Sequence, residues 1–478
     1  MTKKIPVKNL YLIAIISIGL IGLAVGSTYA MFTATAEINN PISLSSNLTY
    51  NSDIVETVDV TVAPGETEQV TLDITNSTDS TLNYAIWYID DSGDCDFGTE
   101  FSVSSYSTSG SIASSGSFSV DVYIRNNSTS NVTVTLGISS SVGNIVLADN
   151  MTILPNSGLP VPKNLLKRIE YLYTNATKTT VTNNSITYNY DTTNKLMQDT
   201  AGNIRYYGAS PNNYIYFNCD AYPNTNCELW RIIGIVDGKV KIIRNTSIGY
   251  YSWDVELSNG EMPVANEWSQ ADLMKLLNPG YESESIGGSL YYNSESGTCY
   301  RMDLPFDATS TISCDFTSTG LSSASKNIID TSIWYLGGHS STVIYPNQIY
   351  NFERGTNVWS DGRPTSWLGK VALPYPSDYG YAADLALCNK TLNNYASSTC
   401  NNNNWMSSVN NTAWLLTPNS GDPFEIWYIR DGVVESEFSD TGGGLNISFN
   451  VNPTLYLSSN IAIESGSGTE GDPYRISA

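Results

Sequence analysis

Trp230-Arg231-Ile232-Ile233-Gly234-Ile235-Val236-Asp237-Gly238-Lys239-Val240-Lys241-Ile242-Ile243-Arg244 decides the fold of the larger part of this chain. Two β-branched runs flank Asp237-Gly238. Asp-Gly tolerates positive φ at both central positions of a two-residue hairpin turn, so the stretch predicts a β-hairpin. The logic returns at Ile426–Arg430, Asp431-Gly432 and Val433-Val434. Helical patterns lie between the two. Ser269, with Asp272 three residues on, predicts a cap for a helix that turns Leu273, Leu276 and Leu277 inward and ends at Pro279-Gly280. Ser325 to Leu336 predicts another, with Ile328, Ile329 and Ile333 inward and Gly337-Gly338 as its stop. Asp378 to Tyr395 reads as a third. Hairpins with segregated helices predict an α+β head domain over 178–478.

Six cysteines fall within this head, and their grouping favours three local pairs: Cys219 with Cys227, Cys299 with Cys314, and Cys388 with Cys400. In an exported chain such cysteines read as structural disulfides. The spacing contains no CxxC and His339 is far from every cysteine, which argues against a thiol–imidazole metal site. Cys95 is left over, as a free thiol or an intermolecular partner.

Upstream, Leu154 to Pro162 makes a stiff proline-rich linker, and Leu165, Leu166, Ile169, Leu172 and Tyr173 predict a short amphipathic helix, so 155–177 reads as linker plus helix. Leu154-Pro155-Asn156-Ser157-Gly158 resembles a sortase motif, but no apolar tail and basic end follow it. Residues 37–154 carry fifteen acidic side chains against one basic residue, Arg125. Val70–Ile74 and Val120–Ile124 alternate apolar and polar, each breaks at an Asn/Ser-rich turn, and each is followed by a second alternating run. That pattern predicts antiparallel strands with one wet face, and an all-β immunoglobulin-like sandwich. Pro64-Gly65 resembles the turn common in bacterial surface modules. Asp90, Asp91, Asp94, Asp96 and Glu100 crowd one loop. Alternating oxygen donors suit calcium, although Cys95 stands where an EF-hand needs glycine, and a solvated acidic loop is the plainer reading. No other cofactor is implied.

At the N-terminus, Lys3, Lys4 and Lys8 precede an uncharged apolar run from Leu10 to Val25 and the small residues before Ala30. Residues 1–30 read as an export signal, or as an uncleaved anchor and then the chain's one link to a membrane. The stretch around Ala30 resembles the signals of Gram-positive matrix-fibre and camelysin-like proteins.

Composition narrows the function. The formal charge is −23, with 46 acidic and 23 basic side chains, which argues against nucleic-acid phosphates as partners. A single histidine leaves few ways to build imidazole chemistry. His339 and Ser341 lie in Gly337-Gly338-His339-Ser340-Ser341 without a nucleophile elbow. Carboxylate pairs (Asp254 with Glu256, Glu282 with Glu284, Glu435 with Glu437) are what any acidic chain offers, so no catalytic residue is assigned.

Trp230-Arg231-Ile232-Ile233-Gly234-Ile235 with its Asp-Gly, Ser252-Trp253-Asp254, Asn266-Glu267-Trp268, Leu276-Leu277-Asn278, Tyr375 to Gly380, Trp414 to Pro418 and Pro453 to Leu457 together resemble a tryptophan-rich family of exported, uncharacterised Gram-positive domains. The late hairpins are loosely similar to C-type-lectin-like and sulfatase-modifying-factor-like folds. The resemblance implies a surface protein and carries over no catalytic residue. The calcium triplets of true lectins are absent.

The expectation is therefore a secreted or membrane-tethered, non-enzymatic, adhesin-like protein whose head binds a glycan or a host or cell-surface protein. A structural fibre or matrix subunit is the alternative, and a carbohydrate-active enzyme comes third. Trp359, Trp367 and Tyr379 lie in the irregular-looking stretch Tyr345 to Tyr381, and flat loop aromatics there are the expected ligand contacts.

Overall fold

The computed structural model describes residues 42–48, 56–102, 105–156, 162–254, 266–301, 311–360, 362–409, 412–436 and 448–477. The expected signal segment, Glu256 and Glu437 lie outside these. The chain divides into two compact units at Pro160/Val161 and is mostly β, 41% strand against 14% helix, so the helices are short insertions between strands. Among the described residues no helix is long and apolar enough to cross a membrane.

The first unit has nine strands: β1 Ile42–Asn47, β2 Glu56–Val62, β3 Thr67–Thr75, β4 Leu82–Ile89, β5 Cys95–Phe101, β6 Ser109–Ile112, β7 Ser117–Asn126, β8 Val132–Ser141 and β9 Thr152–Ile153. One sheet runs β1-β3-β7-β5 and the other β2-β8-β4-β6, with β9 also on β4. Alternation sets the inward faces. Val70, Leu72 and Ile74 of β3, Val120, Val122 and Ile124 of β7 and Val134, Leu136 and Ile138 of β8 are all buried in one core.

This unit repeats itself at an offset of 50 residues. Val70, Ile74, Asn76 and Ser80 recur as Val120, Ile124, Asn126 and Ser130. The hydrogen bonds recur with them. Asn76 Nδ2 donates to the carbonyls of Ser80 (2.8 Å) and Ile112 (3.1 Å), and Asn126 Nδ2 to those of Ser130 (2.7 Å) and Val62 (2.9 Å). Each Asn Oδ1 accepts from the amide and hydroxyl of the residue two positions on, Thr78 or Ser128. Gly65 and Ser115, also 50 apart, share positive φ and donate to the Asn126 and Asn76 carbonyls. The pairing obeys the same rule, because Thr71 faces Asp121 in one sheet and Trp87 faces Gly137 in the other. At those two crossings of the pseudo-dyad like residues are replaced by complementary ones. Thr71 Oγ1 donates to Asp121 at 2.6 Å, and a β-carbon at Gly137 would collide with the Trp87 indole.

The second unit opens with helix α1, Leu165–Asn175, capped by Asn164, whose Oδ1 accepts the Lys167 amide. Leu165, Ile169 and Tyr173 enter the main core, so the helix belongs to the head and not to a linker. Strands β10 Lys178–Asn183, β11 Ile186–Asp191, β12 Leu196–Gln198, β13 Ile204–Tyr206, β14 Tyr214–Phe217, β15 Glu228–Val236 and β16 Lys239–Arg244 build the large sheet. It continues from β16 through Thr454–Tyr456 to Val371–Ala372. Asp237 (φ 54°) and Gly238 (φ 76°) form the β15–β16 turn, and Asp431 (φ 51°) and Gly432 (φ 80°) form the later one.

Three helix expectations are revised, the one at Asp378 to Tyr395 because the helix there is Pro376–Tyr381. Ser325 to Leu336 is a single turn, Ser323–Lys326, followed by the strand Ser332–Tyr335. The β-branched and aromatic Ile333-Trp334-Tyr335 prefers the pleat, and it alternates, with Trp334 buried and Ile333 54% exposed. The expected Ser269 cap is also displaced. Its hydroxyl donates to Glu267 (2.6 Å), and the helix starts at Asp272 after Ala271.

The disulfides are Cys219–Cys227, Cys299–Cys314 and Cys388–Cys400, and among the described residues Cys95 is the free cysteine. They fit an oxidising environment.

Two outcomes follow from this architecture. Asn76→Ala and Asn126→Ala should each lower the stability of the first unit by a similar ~1–3 kcal/mol, since each leaves buried carbonyls unbonded. Denaturant unfolding followed on Trp87 tests this, and a loss confined to one of the two would refute their equivalence. Reduction should lower the melting temperature of the head by removing loop constraints of up to ~3 kcal/mol each, while leaving the first unit's transition in place. Calorimetry with and without reductant reads both.

Candidate functional site

Of the ten tryptophans, Trp87, Trp230, Trp253, Trp268, Trp334, Trp405, Trp414 and Trp427 are fully buried. The two that are not, Trp359 and Trp367, lie on one element. Ser332–Tyr335 pairs with Ser366–Gly369 as a two-stranded ribbon, and the thirty residues Leu336–Thr365 are inserted between its strands. Cross-strand neighbours Ile333 and Leu368 are 54% and 65% exposed, and Trp359 on the insert is 46% exposed. On the opposite face, Trp334 Nε1 donates to the Gly369 carbonyl at 3.2 Å.

Trp359 borders a shallow surface notch with Trp268, Glu267, Arg363 and Pro418. Arg363 Nη1 donates to Asn266 Oδ1, and Asn266 Nδ2 donates to the carbonyls of Asn419, Asp422 and Glu425. The polar floor is thus pinned to a neighbouring loop. Trp268 stands edge-on to Trp367 at 6.2 Å. An open indole beside a guanidinium and a carboxylate can stack a flat apolar face and bond its polar edge.

The three expected contact aromatics do not share a surface. Trp359 has an open face. Trp367 is half-buried against Trp268. Tyr379 is a core residue, 0% exposed, its hydroxyl donating to the Gly432 carbonyl and its ring 5.9 Å from Tyr395. The reason is helical. The stretch that looked irregular holds α2 Pro346–Glu353 and α3 Pro376–Tyr381, each with proline in its first turn, and α3 turns Tyr379 inward.

Under this face lies a charge cluster that the sequence reading missed. Asp378 of α3 has no exposed side-chain surface. Its Oδ2 receives Lys241 Nζ (2.6 Å) and the Tyr375 amide (3.0 Å), and its Oδ1 receives Arg205 Nη1 (2.8 Å). Arg205 Nε reaches Asp199 at 2.6 Å. Burial alone would raise the Asp378 carboxyl, but Lys241 and Arg205 hold it at about 2. Lys241 sits among Tyr375 (4.3 Å), Trp334 (5.1 Å) and Tyr456 (5.4 Å). Arg354, one residue past α2, chelates Asp237 at the hairpin tip (2.6 and 3.3 Å) and stacks on Tyr350 at 3.6 Å. Its neighbour Glu353 is wholly enclosed. Glu353 Oε1 accepts the Ser377 amide at 2.9 Å, and its Oε2 the Ser377 hydroxyl at 2.5 Å. Burial, against the pull of Arg354, raises the Glu353 carboxyl to about 7. Basic residues set inside apolar strands, Arg205 and Lys241, were the signal available for this cluster.

The remaining sequence candidates are engaged locally. The carboxylate of Asp90 accepts the amides of Ser92, Gly93 and Cys95, and these bonds outweigh burial and lower its pKa. Asp96 accepts Asn127 Nδ2 at 2.8 Å. Asp91 and Asp94 are exposed in the same loop, and among the described residues no group of three or more His, Cys, Asp or Glu converges as metal ligands would. Burial first, then Asp90, Asp94 and Asp96, push the Cys95 thiol up to about 12, so it is not poised as a thiolate. His339 Nδ1 accepts the Ser341 amide (3.1 Å), and Ser341 Oγ accepts the Val343 amide, so the two form a turn and not a nucleophile–base pair.

No protein-family model matches this chain, and no curated protein matches it. Over 21% of its length it is similar to the whole pre-peptidase C-terminal domain of a collagenase from Bacillus anthracis, at 12% identity and a TM-score of 0.14.

Proposed function

We propose that this is an exported, non-catalytic surface protein in which an immunoglobulin-like first unit presents a C-type-lectin-like head, and that the head binds a glycan or a protein on the ribbon and its insert. One observation carries the reading: Trp359 holds an open indole on the insert of a ribbon whose cross-strand pair Ile333 and Leu368 is exposed. Buried tryptophan needs no ligand to account for it. A large apolar side chain held at the surface on an ordered strand or its insert is what recognition hot spots are made of. The polar neighbours Glu267 and Arg363 supply the orienting bonds that a sugar hydroxyl or a peptide group takes. The disulfides suit the extracellular setting the reading requires.

The test uses the exported chain on a glycan array and a panel of matrix proteins. Trp359→Ala should weaken the binding found by ~1–3 kcal/mol with its melting temperature unchanged. Ile333→Ser with Leu368→Ser should weaken protein binding in the same way. Tyr379→Ala, by contrast, should cost ~3–5 kcal/mol of folding stability, as for a core aromatic. Full binding retained by both surface variants would remove the ribbon as the recognition face.

A further inference from the structure

We infer that Glu353 is a proton-operated latch on the ribbon insert. With the carboxyl protonated, α2 is locked to α3; with it ionised, α2 and the Trp359 segment that follows it are released.

The cluster holds three cations, the buried Arg205 and Lys241 and the partly buried Arg354, and four carboxyl groups, the buried Asp199, Asp378 and Glu353 and, at the exposed hairpin tip, Asp237. Each cation is already committed. Arg205 is shared by Asp199 and Asp378, Lys241 is on Asp378, and Arg354 is chelated by Asp237. Neutral Glu353 leaves the cluster balanced at three against three. An ionised Glu353 adds a fourth negative charge, and the cation beside it, Arg354, is shared with Asp237, so a fully enclosed charge is only partly answered, which is unfavourable.

The groups facing Glu353 agree. From α3 come the Ser377 amide and hydroxyl and the negative Asp378, whose charge opposes ionisation. From its own element comes Arg354, whose Nη1 donates to Glu353 Oε2 at 3.4 Å while its Nε and Nη2 are on Asp237. The sheet contributes Lys241 and Arg205, both spent on Asp378, and Asp237, spent on Arg354. Tyr375 donates its hydroxyl to the Tyr335 carbonyl of the ribbon, not to Glu353.

Position then gives the latch its consequence. Glu353 is the last residue of α2 and lies six residues before Trp359. Its backbone carbonyl accepts the Gly337 amide at 3.0 Å, just past the ribbon's first strand. Gly337 has no room for a β-carbon, which would strike the Phe352 and Gly355 carbonyls. Loosening Glu353 therefore loosens both the entry to the insert and its helix. The effect on recognition rests on the reading of the ribbon as the binding face, whereas the latch itself does not.

The sign follows from linkage. The carboxyl holds its proton more tightly when enclosed, up to about 7, than when open to water. Closure is therefore strongest in acid, weakens as pH rises towards 7, and levels off above it.

Hydrogen exchange of residues 346–359 in the full chain, corrected for the intrinsic pH effect, tests this without any ligand. Protection in the wild type should fall on the order of 100-fold between pH 5 and pH 8, about tenfold per pH unit up to the carboxyl's pKa. Glu353→Gln should flatten the profile and hold protection at pH 8 near its acid value. Ser377→Ala, which removes a donor to the carboxylate, should move the break to higher pH and serves if the glutamine variant does not fold. A flat wild-type profile, or superimposable profiles for wild type and Glu353→Gln, would overturn the latch. Failure of the binding reading shows elsewhere, as unchanged affinity in Trp359→Ala.

Discussion

One carboxylate ties the head together. Asp378 takes Lys241 from β16, Arg205 from β13 and the amide of Tyr375, with no solvent reaching any of the three side chains. A charge in such a place persists only when it is paired and bonded, and removing one partner leaves the others stranded. That requirement fixes where α3 can sit on the sheet. With α3 placed, α2 and the ribbon insert follow, because Ser377 meets Glu353 and Tyr375 meets Tyr335. An apolar contact could slide by a residue at small cost. This arrangement cannot, since a shifted helix would leave Lys241 and Arg205 facing an uncharged wall.

The first unit is fixed by uncharged groups instead. Asn76 and Asn126 each close a turn and bind carbonyls across the core, in two settings that superimpose at an offset of 50 residues. Two-fold arrangements carry a hazard, because each half could pair with its own kind in another molecule. The two places where the dyad crosses the strands are where the halves differ. Threonine meets aspartate, and tryptophan meets glycine. Two Trp87 indoles could not share that site, and two Gly137 residues would leave it empty. The sequence between the halves is weakly alike, so the repeat shows in bond patterns before it shows in residue identities.

How far the sequence could be read depends on the range of the forces involved. The hairpins at Asp237-Gly238 and Asp431-Gly432 are local, as turn φ is a property of two residues, and both form where expected. Disulfides between near neighbours are local too. The helix expected from Ser325 to Leu336 fails because the apolar spacing of Ile328, Ile329 and Ile333 fits a helix while the β-preferring Ile333-Trp334-Tyr335 finds a distant strand, Ser366–Gly369, to pair with. Tyr379 fails for a similar reason: whether a tyrosine near prolines is a loop contact or a core residue depends on α3 docking through Asp378. Trp359 had the same local signature, and nothing in the chain around it separated the two.

The charge cluster was the least legible feature, and the reason is instructive. Its members come from positions 199 to 378, so no window of sequence contains the pattern. What the sequence does hold is the oddity of each member. Lys241 alternates with Val240, Ile242 and Ile243 in a strand, and Arg205 sits between Ile204 and Tyr206. A lysine or arginine placed where a strand demands an inward side chain must find a carboxylate inside, or the strand would not be there. Such residues identify an acidic partner before the partner's position is known. In a chain with twice as many acids as bases the reverse inference fails, because surplus carboxylates need no explanation on a wetted surface. Glu353 is the exception that surplus conceals: an enclosed acid whose neighbouring cation, Arg354, is shared with Asp237, and therefore the group in the cluster whose proton decides how firmly the ribbon is held.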